Sequence, residues 1–449
     1  MRVSLVAVVV LSVFAQFGCN KREVSKFPSD PTGEIRAAIS IEPAQELDIL
    51  FVIDSSGSME DEQASLATNF QRMIDALSDN EAGLPSLHIG VVTTDLNEPG
   101  NDSCPTTETP GQFVRSINGC AGPNGAFIVD TPNGDGTRSR NYQGSLTDTF
   151  SCIAEVGAKP CHIYEQPFEA ARRVLSGEAV TEGFLREGAF LSVIFITDED
   201  DCSASNEQIF DLDGEDNLSS RFGPRASFRC FEFGTVCDED DDVRSTGDRT
   251  NCQPREDSEF IEPVGSYQSF FAGLKNSSSQ LILASIAGNS DPVSVLTTNN
   301  GTALRLDSTC GADSTQNARP ATRINTFLNG FDNSLSTSIC EEDLSGPVQE
   351  IANSIDALLT GCLDEQPGDA DPSTPELDLS CTVTLFQATE DGDQFLARLP
   401  ECDGTATPCY SFNETQACEG SASGLELELT SDDPVAPGTF ADVRCLSFE

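Results

Sequence analysis

Asp48-Ile49-Leu50-Phe51-Val52-Ile53-Asp54-Ser55-Ser56-Gly57-Ser58-Met59 decides how this chain is read. Its apolar run, rich in β-branched residues, predicts a buried strand that breaks into Asp-x-Ser-x-Ser, and residues 60–77 then follow with helical spacing. A strand ending in a carboxylate and two hydroxyls before a helix places hard oxygen ligands at the carboxyl edge of a sheet, where open α/β sheets bind ligands. Oxygen ligands suit Mg²⁺, Ca²⁺ or Mn²⁺ and suit zinc or copper poorly.

Outward from that stretch, strands and helices alternate, which predicts an α/β fold with a doubly wound, mostly parallel sheet over residues 46–362. Further strands are expected at 87–94, 125–129, 190–197 and 281–287, with a short one ending at Cys340. Helices are expected at 165–175, 264–274, 322–328 and 344–359. Residues 190–197 are the most apolar strand, expected at the sheet centre, and they stop at Asp198. Two segments, 96–163 and 199–260, are rich in Gly, Asn, Asp and Pro and hold four cysteines each. They read as insertions rising on the same face as Asp54, held by disulfides. Residues 363–376 have linker composition, and 377–449, with five cysteines and short alternating runs, predict a small disulfide-stapled β module.

The chain has 449 residues, and its 25 Lys+Arg against 74 Asp+Glu give a formal net charge of −49. Such a surface repels nucleic acid and excludes it as a partner class, while it favours cations and solubility. Arg2 precedes an apolar stretch at 3–17, too short to span a bilayer comfortably, so residues 1–18 read as a signal peptide and 19–45 as a tether with a possible edge strand. The 17 cysteines point to an oxidising compartment, and setting Cys19 aside leaves an even number. Sequence neighbours suggest the pairs Cys104–Cys120, Cys152–Cys161, Cys237–Cys252, Cys310–Cys340 and Cys402–Cys409. With only His88 and His162 and no Cys-x-x-Cys spacing, zinc is disfavoured. No Gly-x-Ser-x-Gly elbow, phosphate loop or dinucleotide fingerprint occurs, so the chain is not read as an enzyme.

Asp54, Ser56 and Ser58 resemble the first motif of the metal-ion-dependent adhesion site of von Willebrand factor A domains, and Ile194-Phe195-Ile196-Thr197-Asp198 resembles the family's second, an apolar strand ending in Thr-Asp. The resemblance implies a divalent cation, Ca²⁺ or Mg²⁺, held by Asp54, Ser56, Ser58 and Asp198 with an open position for a ligand. The family's middle-loop Thr has no counterpart in residues 159–165. Glu165 either replaces it or caps a helix, and Thr147 or Thr149, reaching in from the insertion, is a further candidate. Asp95, Glu199, Asp200 and Asp201 are expected on the rim, as further cation or water ligands or as a solvated loop.

Gly18-Cys19 resembles a bacterial lipobox, which implies a lipid on Cys19; an ordinary secretory signal and an uncleaved anchor are the alternatives. With Thr197 to Ser203 and the cysteine-rich insertions, this start resembles exported von Willebrand A lipoproteins of myxobacteria and their relatives, a group that includes gliding-motility adhesins. The resemblance implies an outer-membrane lipoprotein at the cell surface, adhering to a protein or polysaccharide on a substratum or envelope complex. An envelope scaffold using the same face, and a hydrolase with a metal-activated water, are the competing functions.

Overall fold

Strands that are apolar on both faces must be covered on both sides, and the central sheet of this chain is built that way. The computed structural model describes residues 33–41, 46–78, 83–97, 110–116, 119–133, 135–157, 164–210, 218–223, 227–239, 243–275, 278–298, 301, 303–311, 314–363, 365–369, 378–387, 393–415, 418, 421–431 and 439–447. In chain order these form β1 (Gly33–Ser40), β2 (Glu46–Ile53), α1 (Glu60–Ala76), β3 (Ser86–Thr93), β4 (Ile128–Pro132), β5 (Arg138–Arg140), α2 (Leu146–Ala154), α3 (Pro167–Ser176) and α4 (Glu178–Thr181). Next come β6 (Phe190–Ile196), α5 (Ser227–Gly234), β7 (Thr235–Val236), β8 (Gly247–Arg249), β9 (Gln253–Pro254), α6 (Val264–Ala272), β10 (Leu281–Ala287), β11 (Val293–Thr298), β12 (Ala303–Leu306) and α7 (Thr322–Leu328). β13 (Ser334–Ser338), α8 (Ser345–Thr360), β14 (Cys362–Leu363), β15 (Cys381–Gln387), β16 (Gln394–Leu399), β17 (Cys409–Glu414), β18 (Leu425–Thr430) and β19 (Thr439–Ser447) complete the order.

The main sheet has the order β13-β10-β6-β2-β3-β4-β5. Its first five strands are parallel, and β4 and β5 add an antiparallel hairpin at one edge. Along β2 the side chains alternate between two cores. Leu47, Ile49, Phe51 and Ile53 meet Leu66 and Phe70 of α1, Phe150 of α2 and Val348 and Ile351 of α8. Leu50 and Val52 face the opposite core with Phe168 of α3, Tyr267 and Phe271 of α6 and Phe327 of α7. This is the expected doubly wound α/β sheet. β6 is the middle of the five parallel strands, whereas β2 is the middle of the whole sheet. The difference from the expected order comes from β4 and β5, whose Gly/Asn/Asp/Pro-rich surroundings read as loop; the strand expected at 125–129 is β4, shifted to 128–132.

Four smaller sheets hold the other strands: β12-β11-β8 and β7-β9 within the α/β domain, and β1-β19-β15-β16 and β14-β18-β17, which involve the C-terminal strands. The last two pack face to face around Ile35, Ile39, Leu363, Val383, Leu385, Leu427 and Val443. β1 runs the full length of β19, from Gly33↔Ser447 to Ser40↔Phe440. The edge strand expected in the tether therefore belongs to the C-terminal module, and the α/β domain is inserted between the module's first strand and the rest. Asn333, just before β13, joins the two: its Oδ1 accepts from Ala38 N at 2.8 Å and its Nδ2 donates to Ala38 O at 3.1 Å.

Disulfides connect Cys237–Cys252, Cys310–Cys340 and Cys402–Cys409, as sequence proximity suggests. Cys120 pairs with Cys152, 32 residues away, because α2 carries Cys152 up to the 119–120 loop. That corrects the expected pairs Cys104–Cys120 and Cys152–Cys161; Cys104, Cys161 and Cys19 lie outside the described residues. Cys202–Cys230, Cys362–Cys418 and Cys381–Cys445 join partners 28, 56 and 64 residues apart. Asn333 is 6% exposed, so its replacement leaves the Ala38 amide and carbonyl without these partners. Asn333→Ala should cost about 1–3 kcal/mol in denaturant unfolding, measured against the parent chain.

Candidate metal centre

The chain leaves β2 at Asp54 and β6 at Thr197, side by side, since the register pairs Ile53 with Ile196. β3 continues the sheet on one side of β2 and β6 on the other, so the two carboxyl ends flank the point where strand order reverses, the usual ligand crevice of such sheets. Asp54 N donates to Ile196 O at 2.9 Å, and Thr197 Oγ1 donates to Asp54 Oδ2 at 2.7 Å. Asp54 Oδ1 accepts Ser56 N at 2.7 Å, and the Ser56 and Ser58 hydroxyl oxygens are 3.3 Å apart. The strand end, the turn and the second strand are thus held together through one carboxylate.

Two further loops complete the rim. Gln63 of α1 donates to Asp54 O at 2.7 Å and, through both ends of its amide, grips Gly157 at the end of the first insertion. Gln166 N donates to Thr94 O, and Cys202 N to Glu165 O at 2.8 Å, so Glu165 is held between the ends of β3 and β6. Arg319 N donates to Asp198 O at 2.8 Å, and its guanidinium lies 3.7 Å from Glu199.

Asp54, Ser56, Ser58, Glu165 and Asp198 are thereby brought to one place. Glu165 precedes Gln166, the first cap position of α3, so it does not cap that helix. It is 4% exposed, and burial, then Asp54, Glu199 and Asp198, push its pKa well up. Asp54 is fully buried, and burial followed by Asp198 raises its pKa to about 7. Asp198 is raised by burial, offset in part by the Ser58 hydroxyl and Arg319. Asp198 Oδ1 is buried with no hydrogen-bond partner.

The other expected residues have partners of their own. Thr147 Oγ1 donates to Gln71 and Thr149 Oγ1 to Ser145 O, so neither supplies the missing hydroxyl. Asp95 stays at the end of β3, accepting Asn97 N at 2.8 Å. Asp200 accepts the amides of Arg323 and Ile324 in the first turn of α7, and Asp201 accepts Phe168 N of α3 and pairs with the buried Arg323 at 3.0 Å. Asp200 thus caps α7 and Asp201 links α3 to α7, while both also line a small pocket with Glu165, Glu199 and Arg319. Asp211-Leu212-Asp213-Gly214-Glu215-Asp216, which in sequence looks like a calcium-loop fragment without the closing Glu, lies outside the described residues. Glu62 joins the site unexpectedly: it is 8% exposed, its Oε2 is buried without a hydrogen-bond partner, and burial, then Asp198, raises its pKa. In sequence it is hidden within Glu60-Asp61-Glu62, the acidic first turn that any helix favours.

Among the described residues no group of three or more His, Cys, Asp or Glu is spaced to hold a metal by itself. A cation at this place would draw on the Ser56 and Ser58 hydroxyls and on water as well as on carboxylates. The donor set fits a hard ion: every candidate atom is oxygen, and Asp198 Oδ1 is left without a partner.

No family model matches the chain, and no curated protein matches it. Among solved structures, the pilus adhesin SpaC of Lactobacillus rhamnosus GG in its open conformation is 9% identical with a TM-score of 0.33, covering 94% of this chain and 44% of that one. A von Willebrand factor type A protein from Catenulispora acidiphila is 8% identical with a TM-score of 0.28, covering 92% and 61%. The pilus adhesin RrgA of Streptococcus pneumoniae is 11% identical with a TM-score of 0.29, covering 92% and 58%. The chain spans about half the length of these structures. The strand order and the two-sided helix cover define an open, doubly wound α/β fold.

The raised Asp54 pKa sets a direction. The folded chain holds a proton up to about pH 7 that the unfolded chain releases near 3.8, so without a cation stability is full at acid pH and falls as pH rises through this window. In chelator, Tm should be lower at about pH 7.5 than at about pH 5; Asp54→Asn should flatten the dependence, and added Ca²⁺ or Mg²⁺ should restore Tm at the higher pH.

Proposed function

We propose that the chain is a surface adhesin whose carboxyl-edge site binds an external protein or polysaccharide through Ca²⁺ or Mg²⁺. The observation that carries this reading is the buried Asp198 Oδ1, without a hydrogen-bond partner and close enough to Asp54 and Glu165 to raise the pKa of each. Asp54, Ser56, Ser58 and Asp198 would hold the ion, with Glu165 in place of the family's Thr. When bound, such an ion supplies an open coordination position for an oxygen of the ligand. Glu165 beside Asp54 and Asp198 makes the site more negative, which favours Ca²⁺ and weakens attraction for an acidic ligand; hydroxyl-rich polysaccharide becomes the better-matched class.

The localisation in this proposal is the outer membrane, by a lipid on Cys19. Among the described residues no helix is long and apolar enough to cross a membrane. The site and the sandwich sit at opposite edges of the main sheet, since Asn333 precedes β13 while Asp54 follows β2. A chain entering through β1 would therefore present the site on the far side of the domain from the sandwich contact.

Calorimetric titration of the chain from Asn20 onward should show divalent-cation binding, weakened at least about tenfold by Asp54→Ala and by Ser56→Ala. Cells carrying either variant should lose cation-dependent attachment. Attachment that survives both substitutions sinks the metal mechanism, and complete protection of the chain from protease on intact cells sinks the surface location in favour of an envelope scaffold.

A further inference from the structure

The sandwich contains a second cleft, remote from the carboxyl edge. It measures about 190 Å³ and is lined by Leu379, Glu401, Tyr410, Phe412, Glu414 and Leu425. Along β17, Tyr410, Phe412 and Glu414 alternate onto one face. The first two pack on the sandwich core, so Glu414 stands where the pattern calls for a third apolar side chain, opposite the buried Leu425. Glu401 is set beside Tyr410 by a parallel bridge, with Cys402 N donating to Tyr410 O at 2.8 Å and Tyr410 N to Pro400 O at 3.0 Å.

The chemistry of this lining is one-sided. Tyr410 is 6% exposed, its ring lies edge-on to Phe412 at 5.7 Å, and its hydroxyl donates to Cys381 O at 3.2 Å. Among the described lining residues the side chains therefore offer aromatic rings, aliphatic walls and two carboxylates, with the Tyr410 hydroxyl already engaged. Neither Glu401 nor Glu414 takes part in an ion pair among the described residues. The nearby Arg398 donates to Thr382, on the sheet face opposite the core-facing Val383 and Leu385. A sugar or an anion needs donors; a cation on an alkyl stem needs only acceptors, an apolar wall and a ring. The cleft is also below the ~300–1,000 Å³ of typical small-molecule sites and suits a single side chain.

We propose that this cleft binds the side chain of a lysine or arginine from a basic partner segment, with Glu401 and Glu414 receiving the charge and Tyr410 and Phe412 the stem. The net charge of −49 steers such a segment toward the chain. The inference is independent of the cation site.

The test is saturation-transfer NMR on the full chain with Nα-acetyl-arginine amide, Nα-acetyl-lysine amide, Nα-acetyl-norleucine amide and glucose. Both cationic probes should bind with Kd of roughly millimolar order, with norleucine amide and glucose at least about tenfold weaker. Glu401→Gln with Glu414→Gln should weaken the cationic probes about tenfold while leaving Tm nearly unchanged, because both side chains are exposed. Raising NaCl should weaken them on the native chain, a readout that needs no variant. Absence of cationic binding, equal binding of norleucine amide, preferred binding of glucose, or affinity indifferent to salt and to the double substitution each overturns the proposal.

Discussion

β2 carries an aspartate at each end, and the two are treated in opposite ways. Asp48, at the amino edge, is fully buried but lies against Arg186, whose Nε is 2.8 Å away and whose amide also donates to it, with Lys275 close by. Asp54, at the carboxyl edge, is equally buried and has only neutral donors, Ser56 N and Thr197 Oγ1, with Asp198 raising its pKa further. Buried negative charge without a cation is expensive. The first end is completed within the chain, whereas the second is held rigid by hydrogen bonds and left electrostatically short. Arg319, beside Asp198 and Glu199, offsets part of the deficit. Glu62 and Glu165 deepen it, which makes the carboxyl edge the place where an added cation would gain most.

That edge stays in register because each loop around it is fastened to another. Gln63 ties α1 to the end of the first insertion, Glu165 and Cys202 tie the insertions to each other, and Asp201 with Arg323 locks the start of the second insertion to α3 and α7. Cys202–Cys230 then closes the second insertion onto its own base. The long loops do not cover the sheet as loose decoration; they supply backbone partners to the residues that form the site. Bonding of this kind keeps these oxygen atoms in fixed positions, at the cost of the repulsion among carboxylates.

The parts legible in the sequence are those whose signal is local. An apolar run that stops at Asp54 and another that stops at Asp198 announce two adjacent strand ends, because parallel strands buried on both faces read as continuous apolar stretches. Glu165 could be weighed as an oxygen donor for the same reason: it precedes the Pro167 that opens α3. Signals that depend on distant pairing were not legible. β1 finds its partner about 400 residues later, and Cys381–Cys445 and Cys362–Cys418 close over similar ignorance of register. Asp200 and Asp201 look like rim carboxylates beside Asp198, and only the arrival of α7 and α3 shows that they also hold helix amides.

Glu62 and Glu414 mark the two ways in which a carboxylate escapes a reading by pattern. Glu62 obeys the local rule, an acid in the first turn of a helix, so nothing flags it until burial and the nearness of Asp198 are seen. Glu414 breaks the local rule, a carboxylate at the third inward position of a strand, but the violation is visible only once Tyr410 and Phe412 are known to face the core. A residue that satisfies its own element can still be costly to the assembled fold, and one that offends its element can be harmless at a cleft mouth.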